Sequence, residues 1–424
     1  MIQRVFFVML LILSDAPSLY GAESTIESRL TLRDAISATF DNYPQFRIYE
    51  LRNQALIGER QTANLKPAFQ ISSELENVIG TGDLNWFQGT EFTLALSQVV
   101  ELGDKRNART NVVSQRQNRL LAEQKILELE LMSETTLRFI ELAAAEQRLV
   151  LLSQATQLAR EILDSVAERV AAGRAPDAEQ SRATATLRLA ELAEESAEFS
   201  IEAAMLRLSS LWGDLQPTFT GASANLLDLG EATSIQTLLT RLESNPAISV
   251  FASEERLKQA ELREVETRRR ANIELGAGIR HVAELNDSAF VLQFSMPLNN
   301  KNRARGAIAT AQANLLAVES ERDLAVLKMS SQLVVLDQER RLAINEATTL
   351  QTDVLPLLTD ALNDTREAFE SGRYSYIELS AAQKARLDAE FELIEAATRA
   401  HLLRVEIERL SGEELDAPTL RNTQ

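Results

Sequence analysis

The chain has 424 residues, with 44 Lys and Arg against 62 Asp and Glu, a net charge of −18 and no cysteine. This acidic balance excludes nucleic-acid binding, because a phosphate backbone repels such a surface; the missing thiols exclude disulfides, zinc–thiolate sites, thiol catalysis and N-terminal lipidation on cysteine. Aromatic residues make up only 5% of the chain, with 15 Gly and 9 Pro, and Ala, Leu, Glu, Arg and Gln dominate, which is the composition of long helices packed side by side rather than of globular domains.

In chain order, Arg4 gives a positive start, Val5 to Leu13 are largely apolar, and Gly21 and Ala22 precede the polar Glu23-Ser24. Residues 1–22 therefore read as a secretory signal peptide cleaved near Ala22. The apolar run is too short to cross a bilayer as a helix, and no later stretch of about 20 apolar residues follows. An exported chain of this kind is expected either to be soluble in the periplasm or to form part of an outer-membrane β-barrel.

A first repeat is expected over 23–213. A helix of about 25 residues opens near Asn42-Tyr43-Pro44, and two alternating strands follow at about 68–79 and 90–99. Lys105 to Ala172 then contains neither Pro nor Gly, a helical run of roughly 100 Å at about 1.5 Å per residue. Ala172-Gly173-Arg174 is a turn, and a return helix ends at Leu211-Trp212-Gly213. Pro217, Gly221 and Gly230 break the periodicity over a linker at 214–233.

The second repeat, 234–412, runs through the same landmarks in the same order. Ser244-Asn245-Pro246 answers the first Pro-headed helix, and Leu298 to Arg305 answers Leu102 to Arg109. Strands are expected at about 272–282 and 288–297. A second rod from Asn302 to Ser371 carries Pro356 as a kink point. Ser371-Gly372-Arg373 answers the first turn, Leu410-Ser411-Gly412 closes the return helix, and a tail fills 413–424.

The rods carry more than one apolar seam. Ile308, Ala311, Leu315, Val318, Ala325, Met329 and Leu336 follow heptad spacing, and Leu324, Leu327, Ser331 and Val334 draw a second line on another face. In the first half Ile126, Leu129, Ser133, Thr136, Ile140 and Ala143 follow the same spacing. Two seams predict neighbours on both sides, as in a cylinder of helices.

The strands alternate with period two over the length that a tilted, lipid-wetted strand requires. Phe69, Ile71 and Leu75 lie on one face of the first, Phe92, Leu94 and Leu96 on one face of the second. Ile273, Leu275, Ala277 and Ile279 do so in the third, and Phe290, Leu292, Phe294 and Met296 in the fourth. The opposite face offers Glu74, Glu76, Glu91, Glu274 and Arg280 as candidate lumen residues. Four strands cannot close a barrel, and an open edge leaves backbone groups without partners in lipid. Three chains supply twelve strands, so a homotrimer in outer-membrane lipid is expected; two soluble hairpins on a core are the alternative.

Glu74-Leu75-Glu76-Asn77 with Gly80-Thr81-Gly82, and Ser97-Gln98-Val99-Val100-Glu101-Leu102-Gly103-Asp104-Lys105-Arg106, resemble the TolC-like outer-membrane efflux factors, in particular their heavy-metal (CzcC/CusC-like) branch. The order helix, hairpin, rod, Gly turn, rod, given twice, is that family's order and covers nearly all of the mature sequence. The resemblance implies a mainly α fold with a small β part: a long helical periplasmic barrel and four transmembrane strands per protomer. It implies an exit duct in the outer membrane of a Gram-negative bacterium, joined to a periplasmic adaptor (membrane fusion protein) and an inner-membrane pump of the resistance–nodulation–division (RND) class. Heavy-metal cations are the implied cargo, with drugs or secreted polypeptides as the alternative.

By the same resemblance the duct closes at the periplasmic tips, where an acidic residue commonly stands six positions after the turn glycine: Glu179 after Gly173 and Glu378 after Gly372. Gly173, Arg174, Asp177, Glu179, Gly372, Arg373, Tyr374 and Glu378 are the gate candidates. Rings of carboxylates on a narrow axis attract cations, and Arg174 and Arg373 are suited to cross-link neighbouring tips; solvated helix-end charges are the plainer role for each. CusC-like members carry a lipidated first Cys that this chain lacks. No catalytic motif, cofactor fingerprint or metal site is visible: His281 and His401 stand without partner motifs, and Glu261 and Glu264 lie at ion-pair spacing near Arg263 and Arg268. A soluble periplasmic coiled-coil scaffold or adaptor is the remaining alternative.

Overall fold

The computed structural model describes residues 29–78 and 89–412. The signal segment 1–22, Ile79 at the end of the expected first strand, Gly80-Thr81-Gly82 and the tail 413–424 lie outside the described residues.

Each half opens with a capped helix pair. In α1 (Leu32–Asn42) the Thr31 hydroxyl accepts from the Asp34 amide, and α2 (Pro44–Ala63) starts on a proline, whose missing N–H is no loss at a first helical position. Strands β1 (Phe69–Glu76) and β2 (Glu91–Val100) lead into α3 (Lys105–Ala171), one uninterrupted helix of 67 residues. The chain returns through α4 (Asp177–Ser209). The second half repeats this with α5 (Ile235–Leu242), α6 (Pro246–Thr267), β3 (Ile273–Val282), β4 (Asp287–Ser295), α7 (Asn300–Thr349), α8 (Leu355–Glu370) and α9 (Tyr376–Ser411).

Between α7 and α8 the backbone does not stop but widens into a π-helical turn over Leu350–Val354. Pro356 explains it: its ring crowds the carbonyl four residues earlier and donates no hydrogen bond, so the preceding turn must loosen. The rod therefore carries its irregularity just upstream of the proline.

Each rod is flanked by two shorter helices set end to end: α2 and α4 lie along α3, and α6 and α9 along α7–α8. Helices α6 and α9 also pack on α3, which binds the two halves together. The seam Ile126, Leu129, Ser133, Thr136, Ile140 and Ala143 is buried or half-buried, as is Ile308 to Leu336. The second seam on α7, Leu324, Leu327, Ser331 and Val334, is exposed along its whole length. One face of that helix thus packs within the chain and another has no partner among the described residues.

The main core lies at mid-height, where Phe139, Ile140 and Leu142 of α3 meet Leu208, Val405, Leu32 and Leu226. A second cluster ties the helix tips through Ile162, Val166, Phe369 and Tyr376. The segment between α4 and α5 straps the waist: Leu30 bridges Ala222, Glu146 accepts from the Ala222 amide at 2.8 Å, and Arg340 donates to the Leu229 carbonyl at 3.0 Å.

The four strands form a single antiparallel sheet in the order β1-β2-β3-β4. Its outer strands, β1 and β4, each have one edge unpaired among the described residues.

Candidate functional site

Register makes two faces of the sheet. One carries the cross-strand rows Ile71–Leu96–Ala277–Leu292 and Ser73–Leu94–Ile279–Phe290, and the other carries Gln70–Ser97–Gly276–Gln293 and Glu74–Thr93–Arg280–Ala289. The apolar face is the exposed one: Phe290 is 88% and Leu292 85% accessible, whereas Thr93 is 2% and Ala95 3%. A water-soluble sheet would bury the first set and expose the second. This sheet is inside out.

On the polar face Arg280 gathers two of the other candidate lumen residues, Glu76 and Glu91, at the end of the sheet away from the helices. Its guanidinium donates to Glu91 at 2.8 Å and Thr93 at 2.9 Å and lies 3.1 Å from a Glu76 oxygen. Glu74 shares the row of Thr93 and Arg280. Glu274 stands at the helical end and accepts from the Ser97 hydroxyl at 3.0 Å. The five candidates therefore share one face but form two groups, Glu74, Glu76 and Glu91 around Arg280 and Glu274 at the other end. Thr93 and Ser97, small hydroxyls on the same face, were not singled out from sequence, although the alternation alone places them there.

At the tips the two turns are built alike. Gly173 and Gly372 have φ of +67° and +77°, and the amides of Arg174 and Arg373 close back on the carbonyls of Arg169 and Ala368, each at 2.8 Å. A left-handed residue followed by this six-to-one bond is the helix stop that glycine allows without a Cβ penalty.

The next residues differ. Ser375 and Glu378 make a reciprocal capping box at the start of α9, whereas Pro176 heads α4 with no side-chain cap. Hydrogen bonds from Ser375 hold the Glu378 carboxyl below the usual carboxylate range. Glu179 is half-buried, with one carboxylate oxygen buried and unpartnered. Arg373 leans on its own turn, 3.0 Å from the Ser371 hydroxyl, and Arg174, Asp177 and Tyr374 are exposed.

Two further residues join the hairpins. Arg169 of α3 donates to the Phe369 carbonyl at 2.7 Å with its guanidinium 4.3 Å from that ring's centroid. Tyr376 of α9 donates to the Thr186 hydroxyl of α4 at 2.9 Å. Neither was picked out by spacing, since both partners lie about 200 positions away.

The other charged residues singled out in the sequence are structural. Glu261 pairs with Lys258 at 3.0 Å and Glu264 with Arg268 at 3.4 Å. Arg263, two positions from Glu261, has no ion pair among the described residues, because that spacing does not share a helix face. His401 is buried at the waist with Nε2 3.0 Å from the Leu226 carbonyl; burial, reinforced by the nearby Arg404 and Arg340 charges, pushes its pKa down to about 4. Burial likewise lowers the pKa of Arg340. Among the described residues no group of three or more His, Asp and Glu is placed to hold a metal ion, and no helix is long and apolar enough to cross a membrane.

No family model matches the chain. It is 23% identical to the cobalt-zinc-cadmium resistance protein CzcC of Cupriavidus metallidurans over 76% of this chain and 77% of that protein. It is 26% identical to the nickel-cobalt-cadmium resistance protein NccC of Alcaligenes xylosoxydans over 65% and 63%. Among solved structures, CusC, described as forming a transmembrane channel, superposes with a TM-score of 0.73 at 13% identity over 90% of this chain and 91% of its own. The outer-membrane protein VceC of Vibrio cholerae does so with 0.68 at 15% identity over 90% and 96%. In fold the chain is TolC-like, with the long helical body and small sheet that these outer-membrane channels share, and in sequence it is similar to heavy-metal resistance proteins.

Proposed function

We propose that three copies of this chain form the exit duct of a tripartite efflux system, receiving heavy-metal cations through a periplasmic adaptor from an inner-membrane RND pump. The observation that carries the duct is the inverted sheet. A face of Phe290, Leu292, Ile71 and Leu96 turned outward costs free energy in water and gains it in hydrocarbon. The free edges of β1 and β4 need backbone partners in lipid, which the same two edges of neighbouring copies supply. Two copies would give eight strands, a bore that side chains fill; three give twelve and leave room for water.

The exposed second seam of α7 supports the same assembly, since it is a helix face awaiting another copy. Closure falls to the tips, where Arg174, Asp177 and Glu179 of one turn and Arg373, Tyr374 and Glu378 of the other face the narrowing end. The cargo rests on similarity to relatives named for cobalt, zinc, cadmium and nickel resistance. A bare duct needs no binding site for it.

Phase partition tests the duct: the full chain goes to detergent and runs as a heat-resistant trimer, and recovery in the aqueous phase refutes the assignment. A deletion strain tests the cargo. Loss of cobalt, zinc or cadmium tolerance with drug tolerance intact supports metal export; the reverse pattern assigns a drug duct.

A further inference from the structure

We infer that the four strand-to-helix joints form a cationic collar that binds the phosphate head groups of acidic phospholipids in the periplasmic leaflet. This deepens the duct proposal and rests on it. Segments 64–68, 99–109, 267–273 and 296–306 carry ten Lys and Arg and only two acids, Glu101 and Asp104, in a chain whose net charge is −18. The collar is a strong local reversal of sign.

The fold brings these segments to one level. Val100 pairs with Ile273, Glu274 with Ser295 and Phe69 with Gln98, so all four strands end together at the helices. Lys105 Nζ donates to the Arg270 carbonyl at 2.8 Å and to the Asn272 side chain, and Arg109 reaches the Ala63 carbonyl at 3.3 Å.

Helix stability does not account for the charge. Lys105, Arg106, Lys301 and Arg303 sit in or next to the first turns of α3 and α7, which hold no acidic residue; cations there oppose the helix dipole. Ion pairing does not account for it either. Lys66, Arg106, Arg269, Lys301, Arg303 and Arg305 have no carboxylate partner among the described residues, whereas many arginines further down the helices meet one, as in Arg386–Glu390 at 2.7 Å.

An anionic partner from outside the chain satisfies them. The outward apolar face of the sheet ends at this level, so hydrocarbon gives way to head groups there, and surface phosphates attract each nearby cation. A cleft of about 410 Å³ opens at the same place. Its floor is Pro67, Gln98 and Val100, in line with the outward rows, and Lys66, Lys105 and Arg106 flank it beside the carboxylates of Glu101, which Arg109 pairs with, and Asp104. Its size is that of a small-ligand cleft, and a partly apolar floor under a rim with three cations against two carboxylates, one of them already paired to Arg109, leaves positive charge for a glycerophosphate.

The test uses the full chain in vesicles of phosphatidylcholine containing spin-labelled phosphatidylglycerol or spin-labelled phosphatidylcholine, comparing how strongly each lipid is held at the protein surface. The expected result is a preference for phosphatidylglycerol that falls about fivefold per neutralised cation in K66Q, R106Q and R303Q. It also fades in wild type at about 1 M salt, a readout that does not depend on any variant folding. Equal retention of both lipids, a preference untouched by salt, or its abolition by millimolar inorganic phosphate each overturns the collar and leaves the duct standing. Absence of any held lipid overturns both.

Discussion

The sheet and the helical body solve opposite problems with the same residue types. Phe139 on α3 has no accessible surface, while Phe290 on β4 is 88% accessible; Leu142 is fully buried, while Leu292 is 85% accessible. In the body apolar side chains flee water into a core, and in the sheet they line the outside while Thr93, Ser97 and Arg280 are sheltered. The contrast teaches that one chain is built for two solvents, with the boundary at the strand-to-helix joints.

The sharpest way to break this contrast is a charge on the lipid side. Leu292→Arg near the middle of β4 should cost about 2–4 kcal/mol per copy in a bilayer, and a closed trimer bears it three times. The heat-resistant trimer should vanish from the membrane fraction, while Gln293→Arg, one residue along and on the polar face, should leave it intact. Equal tolerance of both substitutions would remove the two-sided sheet.

Next in size is the pairing of like with like. Phe139→Ala should destabilise the body by about 3–5 kcal/mol, because it empties a packed site. Phe290→Ala should change the unfolding midpoint in detergent little, since no protein atoms close over it. Chemical unfolding followed by circular dichroism separates the two.

Much of this architecture was legible in the sequence, and the reason is periodicity. Alternation at Phe92, Leu94 and Leu96 fixes a strand and its apolar face without any knowledge of neighbours, and the heptad seams did the same for α3 and α7. Gly173 and Gly372 were visible as stops because only a left-handed backbone needs them. Contacts across long separations were not legible. Arg280 meeting Glu76 and Glu91, Arg169 on Phe369, and Glu146 holding Ala222 each join residues that no local pattern connects. The π turn lay between: Pro356 announced an irregularity, but its form depends on how the preceding carbonyls are satisfied.

The waist supplies a pH test that the sheet lacks. The pKa of His401 falls from 6.5 to about 4 on burial, so the unfolded chain binds a proton that the folded chain refuses. That stability is fully present above pH 6.5 and drains away as pH falls through about 4, by about 3 kcal/mol for a shift of this size. The thermal midpoint should drop between pH 7 and 4, and His401→Gln should lose much of that dependence. An unchanged slope in the variant would place the acid sensitivity elsewhere.

The smallest effect separates the two tips themselves. The turns at Gly173 and Gly372 share backbone geometry, but only α9 begins with a capping box, through Ser375 and Glu378; α4 begins at Pro176 with none. Ser375→Ala removes the hydroxyl that accepts from the Glu378 amide and donates to its carboxylate, and should cost about 1 kcal/mol, felt locally as fraying of α9 rather than as global unfolding. Amide exchange around 375–379 should then rise to the rate at 176–180, while the first tip is unchanged. If the tips already exchange alike in the wild type, the box does not stiffen the second turn, and any asymmetry in closure must come from the Arg169–Phe369 and Tyr376–Thr186 ties that hold both hairpins together.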